Sequence, residues 1–213
     1  MLLDDYILSH CSPEDDYLHR LYRATNVHLL RPRMASGHVQ GSFLRLLVRM
    51  ARPQRILEVG TFSGYATLCM AAALPPGGEI LTFEVNDEQE EFTRPWLENS
   101  PWASRISFVI GDVLRELPQL ADDRPFDMAY IDGNKRQYED YYRLILPRLS
   151  PGGLLVADNT LWDGHVVEPE YHDAQTQAIR RFNDLVSSDR RVEVVMLPLR
   201  DGLSLIRKKA SGE

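Results

Sequence analysis

Hydrophobic residues along this chain fall into short unbroken blocks, separated by stretches where they return every three or four positions. The blocks at 54–60, 79–85 (EILTFEV), 106–111 (ISFVIG), 126–132 (FDMAYID) and 153–158 (GLLVAD) have the length and composition of buried strands. Helical periodicity fills the gaps, at about 64–74, 87–99, 112–120 and 136–149. Pro75-Pro76-Gly77-Gly78 and Ser150-Pro151-Gly152-Gly153 break the pattern ahead of strands. Such alternation predicts a parallel sheet covered by helices on both faces, an α/β fold. A further helix is expected near 173–187. After it, Val192–Leu199 and Leu203–Ile206 flank Arg200-Asp201-Gly202, and this short Asp-Gly connection predicts a hairpin with an antiparallel last strand.

The region before the first strand block reads differently. Residues 4–30 carry Tyr6, Ile7, Tyr17, Leu18, Leu21 and Tyr22 at helical spacings, and Ser12-Pro13-Glu14-Asp15 predicts a cap with proline at the first helical position. Arg31–Gly37 interrupts. A helix over about Val39–Met50 then presents Phe43, Leu44, Leu47 and Val48 as an apolar stripe, and Pro53 ends it. The reading is one domain over 1–213, with a helical segment to residue 50 and the α/β core from 51.

Composition changes this picture in four ways. With 213 residues the chain can bury one sizeable core. Cys11 and Cys69 provide neither a disulfide framework nor metal spacing. No apolar run is long enough to cross a bilayer, and the first residues lack a signal-peptide pattern, so a cytoplasmic setting is expected. Fourth, the charge is uneven. From Tyr17 to Leu57 there are eight arginines and no acid, which leaves −15 for the remainder of a chain whose net charge is −7. This marks either a face for an anionic partner or arginines that pair elsewhere in the fold or in a second subunit.

Candidate chemistry collects at the carboxyl ends of the strands, where open α/β sheets bind ligands. The first strand runs into Gly60-x-x-x-Gly64, which lacks the middle glycine that admits a pyrophosphate, and it carries Glu58, whose charge would repel phosphate. A ligand with cationic and hydroxyl groups suits this turn, and S-adenosylmethionine (AdoMet) has both. Glu84 ends the second strand, where an acid can hold a ribose diol; the other reading is a cap for the helix beginning at Asp87. Asp132, Asp158 and Asn159 supply three oxygen donors from two neighbouring strand ends, a set that selects Mg²⁺, Ca²⁺ or Mn²⁺. Asp158 and Asn159 can share an ion only if the strand turns there. Lys135 reads by spacing as a surface lysine opening a helix, but beside a dication it would suit a general base. His38, His165 and His172 have no zinc spacing.

Taken together, ILEVGTFSGY (56–65), the Glu84 strand end, YIDGNKRQY (130–138), GGLLVADNTLW (152–162) and LPLRDGLSLIRKK (197–209) resemble the cation-dependent class I O-methyltransferases, over Met34 to Lys209. The resemblance implies a Rossmann-like sheet of seven strands with a reversed last strand, in a homodimer. It implies a metal on Asp132, Asp158 and Asn159, with Lys135 and Asp132 as catalytic residues. AdoMet would contact Met34, Ser36, Glu58, Gly60, Ala66, Glu84, Val113 and Asp132. The acceptor would be a small catechol-like or phenolic hydroxyl; the alternative within the family is 5-hydroxyuridine of tRNA. Two departures bear on the acceptor: Asp132-Gly133-Asn134-Lys135 stands where the family often has Asp-Ala-Asp-Lys, and Asp163 where it often has Asn.

Overall fold

The computed structural model describes residues 2–210 and 212–213. Seven strands form one sheet: β1 (Arg55–Val59), β2 (Glu79–Glu84), β3 (Ile106–Ile110), β4 (Phe126–Ile131), β5 (Leu149–Asp158), β6 (Val192–Leu197) and β7 (Leu203–Lys208). Their order is β3-β2-β1-β4-β5-β7-β6. β1 to β5 pair in parallel, and β7 runs antiparallel to both of its neighbours. The expected architecture is therefore the observed one.

Side chains alternate across the pleat and sort the sheet into two cores. Leu57, Val59, Ala129, Ile131 and Leu155 face α7 (Tyr138–Ile145) and α8 (Ala174–Ser188), whose Tyr138, Tyr142 and Phe182 fill the space with edge-on rings. Ile56, Ile80, Met128, Tyr130 and Val156 face α3 (Gly37–Ala51) and α4 (Tyr65–Ala71). A third cluster joins Leu18 and Leu21 of α2 (Asp16–His28) to Leu68 of α4 and Leu97 of α5 (Glu90–Glu98). The remaining helices are α1 (Leu3–Ser9) and α6 (Val113–Glu116).

Two local expectations need correction. The cap of α2 is Asp15, whose carboxylate accepts from the Tyr17 amide at 2.8 Å; Ser12 and Pro13 lie outside the helix. Asp15 stands directly before the helical run, and its acceptor reaches the free amides of the first turn. β5 also begins at Leu149, not at Gly153. The Ser150–Gly153 stretch is carried inside the strand, opposite a register shift between Phe126 and Met128, and Gly152 (φ +80°) takes up the irregularity.

Candidate active site

The order β2-β1-β4 reverses the winding direction between β1 and β4, and a crevice opens outside the carboxyl ends of these two strands. Backbone approach there is close. Gly60 has φ +95°, and a Cβ on it would lie 2.3 Å from the carbonyl oxygen of Asp132, so only glycine fits. The adjoining cleft has a volume of about 780 Å³, within the usual range for small-ligand sites.

Of the anticipated cofactor residues, Met34, Gly60, Glu84, Val113 and Asp132 line this cleft. Ser36, Glu58 and Ala66 do not; they are buried behind it. Glu84 Oε2 accepts from the Phe62 amide at 2.8 Å and Oε1 from the Asn86 amide at 2.9 Å. The cap of the following turn is Asn86, whose side chain accepts from the Glu88 amide. Glu84 thus lines the cleft while its carboxylate is held by two backbone amides, one of them that of the Asn86 cap. Glu58 is wholly enclosed. Its Oε2 accepts from Thr67 at 2.5 Å, its Oε1 has no partner among the described residues, and burial pushes its carboxyl up to about 8.

The oxygen-rich end lies across the cleft. Asp132 follows β4, and its Oδ1 accepts from Lys135 Nζ at 2.7 Å. Enclosure raises the Asp132 carboxyl above its ordinary range, and the Lys135 ammonium offsets part of that rise. The same ammonium donates to the Tyr138 hydroxyl at 2.8 Å, and that hydroxyl donates to the Asp158 carbonyl at 2.9 Å. Lys135 is therefore tied to both strand ends and is mostly covered, not a free surface lysine. Asp158 closes β5, and Asn159 follows in the left-handed region (φ +56°). This is the turn that the pairing of the two donors requires. Asp132, Asp158, Asn159 and Lys135 all line the cleft. Among the described residues no group of three His, Cys, Asp or Glu side chains could hold a metal. The set here is two carboxylates and an amide, which fits a hard cation and not zinc.

Other residues at the site carry no signal in a strand-end pattern. Phe62 (φ +47°) lines the cleft beside Gly60, and Trp162 (φ +48°) lines it after β5. Asp163 does not line it; its amide donates to Asp201. Arg31 and Arg33 stand exposed at the rim.

A switch-point cleft with a glycine turn after β1, an acid closing β2 and a reversed seventh strand defines the Rossmann-like methyltransferases. Residues 8–209 match the family described as O-methyltransferase. A catechol O-methyltransferase of Niastella koreensis is 33% identical over 201 residues, covering 92% of this chain and 90% of that protein. Caffeoyl-CoA O-methyltransferase 5 of Nicotiana tabacum is 32% identical over 185 residues, covering 82% and 77%. Among solved structures, the O-methyltransferase TomG of Streptomyces achromogenes, involved in tomaymycin synthesis and crystallised with SAM (AdoMet), has a TM-score of 0.89 at 31% identity, covering 98% of this chain and 96% of that one. The chain belongs to the O-methyltransferase family and is an AdoMet-dependent enzyme.

Proposed function

We propose that the enzyme methylates one hydroxyl of a small catechol-like or phenolic acceptor with the help of a divalent cation. The observation that carries this is the left-handed turn at Asn159, which sets Asp158 and Asn159 beside Asp132 and Lys135 on one rim of the cleft. When bound, AdoMet supplies an activated sulfonium methyl, and Mg²⁺ (or Ca²⁺ or Mn²⁺) supplies a Lewis acid for vicinal oxygens. Asp132, Asp158 and Asn159 would hold the cation. Met34, Gly60, Glu84 and Val113 would seat the donor, with Ser36, Glu58 and Ala66 supporting it from behind. Lys135, anchored between Asp132 and Tyr138, would take the hydroxyl proton as the neutral amine, once its own ammonium proton has passed to solvent. Phe62 and Trp162 would exclude water and orient the acceptor ring, which is the main task for an already activated methyl.

The relatives named above carry the names of small aromatic acceptors, which supports that class. The tRNA alternative draws only on the arginine-rich stretch. There, Arg55 pairs with Glu79 and Asp122, while the other seven form no ion pair among the described residues. A homodimer is part of the same reading; Val194, Val195 and Met196, exposed on the edge strand β6, suit a contact between copies. An AdoMet-consumption screen with Mg²⁺ tests the acceptor class across catechols, coenzyme A thioesters and unmodified tRNA. Turnover on catechols or their thioesters is expected; turnover on tRNA alone would overturn the small-acceptor reading.

A further inference from the structure

Asp158 is held by more than its place in β5. Its Oδ2 accepts from Gln40 Nε2 at 2.5 Å and from the Tyr130 hydroxyl at 2.7 Å, while among the described residues Oδ1 accepts only from the Asn159 amide at 2.8 Å. Both donors to Oδ2 are almost entirely buried, Gln40 at 1% exposure and Tyr130 at 0%. Two donors fill the lone pairs of Oδ2, so the carboxylate keeps its free lone pair on Oδ1, beside Asn159.

Which end of the Gln40 amide faces Asp158 is fixed by a third residue. Arg200 Nη1 donates to Gln40 Oε1 at 3.1 Å. A guanidinium has donors only, so the atom facing it is the amide oxygen, and the NH₂ group must point at Tyr130 and Asp158. The directions agree throughout: arginine to amide oxygen, amide nitrogen to hydroxyl and carboxylate, hydroxyl to carboxylate. Arg200 sits in the turn between β6 and β7. Besides Gln40 it donates to the Ala35 carbonyl at 3.1 Å, the Ser36 carbonyl at 2.5 Å and the Arg33 carbonyl at 3.0 Å. No carboxylate pairs with Arg200 among the described residues. Its hydrogen bonds go to the 33–36 segment at the cleft rim and to the amide that orients Asp158.

From this geometry we infer that Gln40, oriented by Arg200, is a positioning residue that makes Asp158 a one-oxygen cation ligand and joins the Arg33–Ser36 rim to the cation site. The inference rests on the cation-dependent reading proposed above. Gln40 touches no reacting atom. It acts by removing one carboxylate oxygen from competition and by keeping the other aimed beside Asn159. Partners of this kind set metal affinity nearly as firmly as the ligands do.

The test is Mg²⁺ and AdoMet titration by calorimetry on the parent chain, Gln40→Met, Arg200→Met and the double variant, with thermal unfolding of each. Gln40→Met is expected to weaken Mg²⁺ binding by about 10- to 100-fold while AdoMet affinity stays within about threefold. Because Arg200 acts through Gln40, the double variant should lose no more Mg²⁺ affinity than Gln40→Met alone. Independent structural damage would instead give losses that add, and additive losses overturn the relay. Mg²⁺ affinity within about twofold of the parent in both single variants overturns the positioning role itself. Should Gln40→Met fail to fold, Arg200→Met and Tyr130→Phe decide by the same Mg²⁺ titration. A parent chain that binds no Mg²⁺ removes the cation site and this inference with it; a parent that binds while the variants bind equally removes the inference alone.

Discussion

Glu58 shows what the sheet does to a carboxyl group it closes over. Its neighbours across the strands are Thr82 and Tyr130, and α4 covers it through Thr67. Burial dominates and lifts its pKa from 4.5 to about 8. Between those values the folded chain keeps a proton that the unfolded chain gives up, so stability from this group is full below about pH 4.5 and is lost as pH rises through about 8. The loss is on the order of a few kcal/mol. Glu58→Gln keeps the shape of the protonated form and removes the titration. Melting curves without AdoMet should coincide at pH 4, and the variant should melt several degrees higher at pH 9, given about 2–4 °C per kcal/mol for a chain of this size. Parallel pH profiles for the two chains would contradict the assignment. Other decisive residues were less legible. Gln40 lies on the same stripe as Leu44 and Val48, four and eight positions on, so a polar residue on a buried helix face was the available signal. Arg200 gave none, since its partners lie 160 or more positions away along the chain.

The elements were legible wherever hydrophobic periodicity was clean. Four of the five strand blocks and the terminal hairpin stand close to their expected limits, because burial on both faces leaves near-continuous apolar runs. Legibility failed where pairing overrode local signals: Pro151, Gly152 and Gly153 look like breakers, yet register with β4 holds that stretch in β5. The αL turn at Asn159 could be required from the chemistry but not read from the residues. The Gly60 turn approaches the end of β4 closely. Gly60→Ala would place a methyl against the Asp132 carbonyl and force an L-residue to φ +95°. We expect a loss of at least about 1–2 kcal/mol in stability from the backbone conformation alone, with weaker AdoMet binding because the cleft wall must shift. Unchanged melting and unchanged AdoMet titration would show that the turn tolerates the displacement.

At the scale of the whole molecule, the strand order puts the residues proposed for the donor and those proposed for the cation on opposite sides of one switch point. The glycine turn, Glu84 and Val113 lie toward β1–β3, while Asp132, Lys135, Asp158 and Asn159 lie toward β4 and β5. The charge follows a different division. The acid-free segment 17–57 contributes Arg31 and Arg33 to the rim. Among the described residues no helix is long and apolar enough to cross a membrane. The proposed chemistry requires this cleft to transfer methyl groups through a cation. The direct measurement is transfer from labelled AdoMet to a 1,2-dihydroxyarene by chain stripped with EDTA, with Mg²⁺ titrated back, beside the same titration of Asp158→Ala. Activity should vanish on stripping and return with Mg²⁺ in the parent, and it should stay absent in Asp158→Ala although that variant still binds AdoMet. Transfer that persists in EDTA, or that Asp158→Ala retains, would contradict the account.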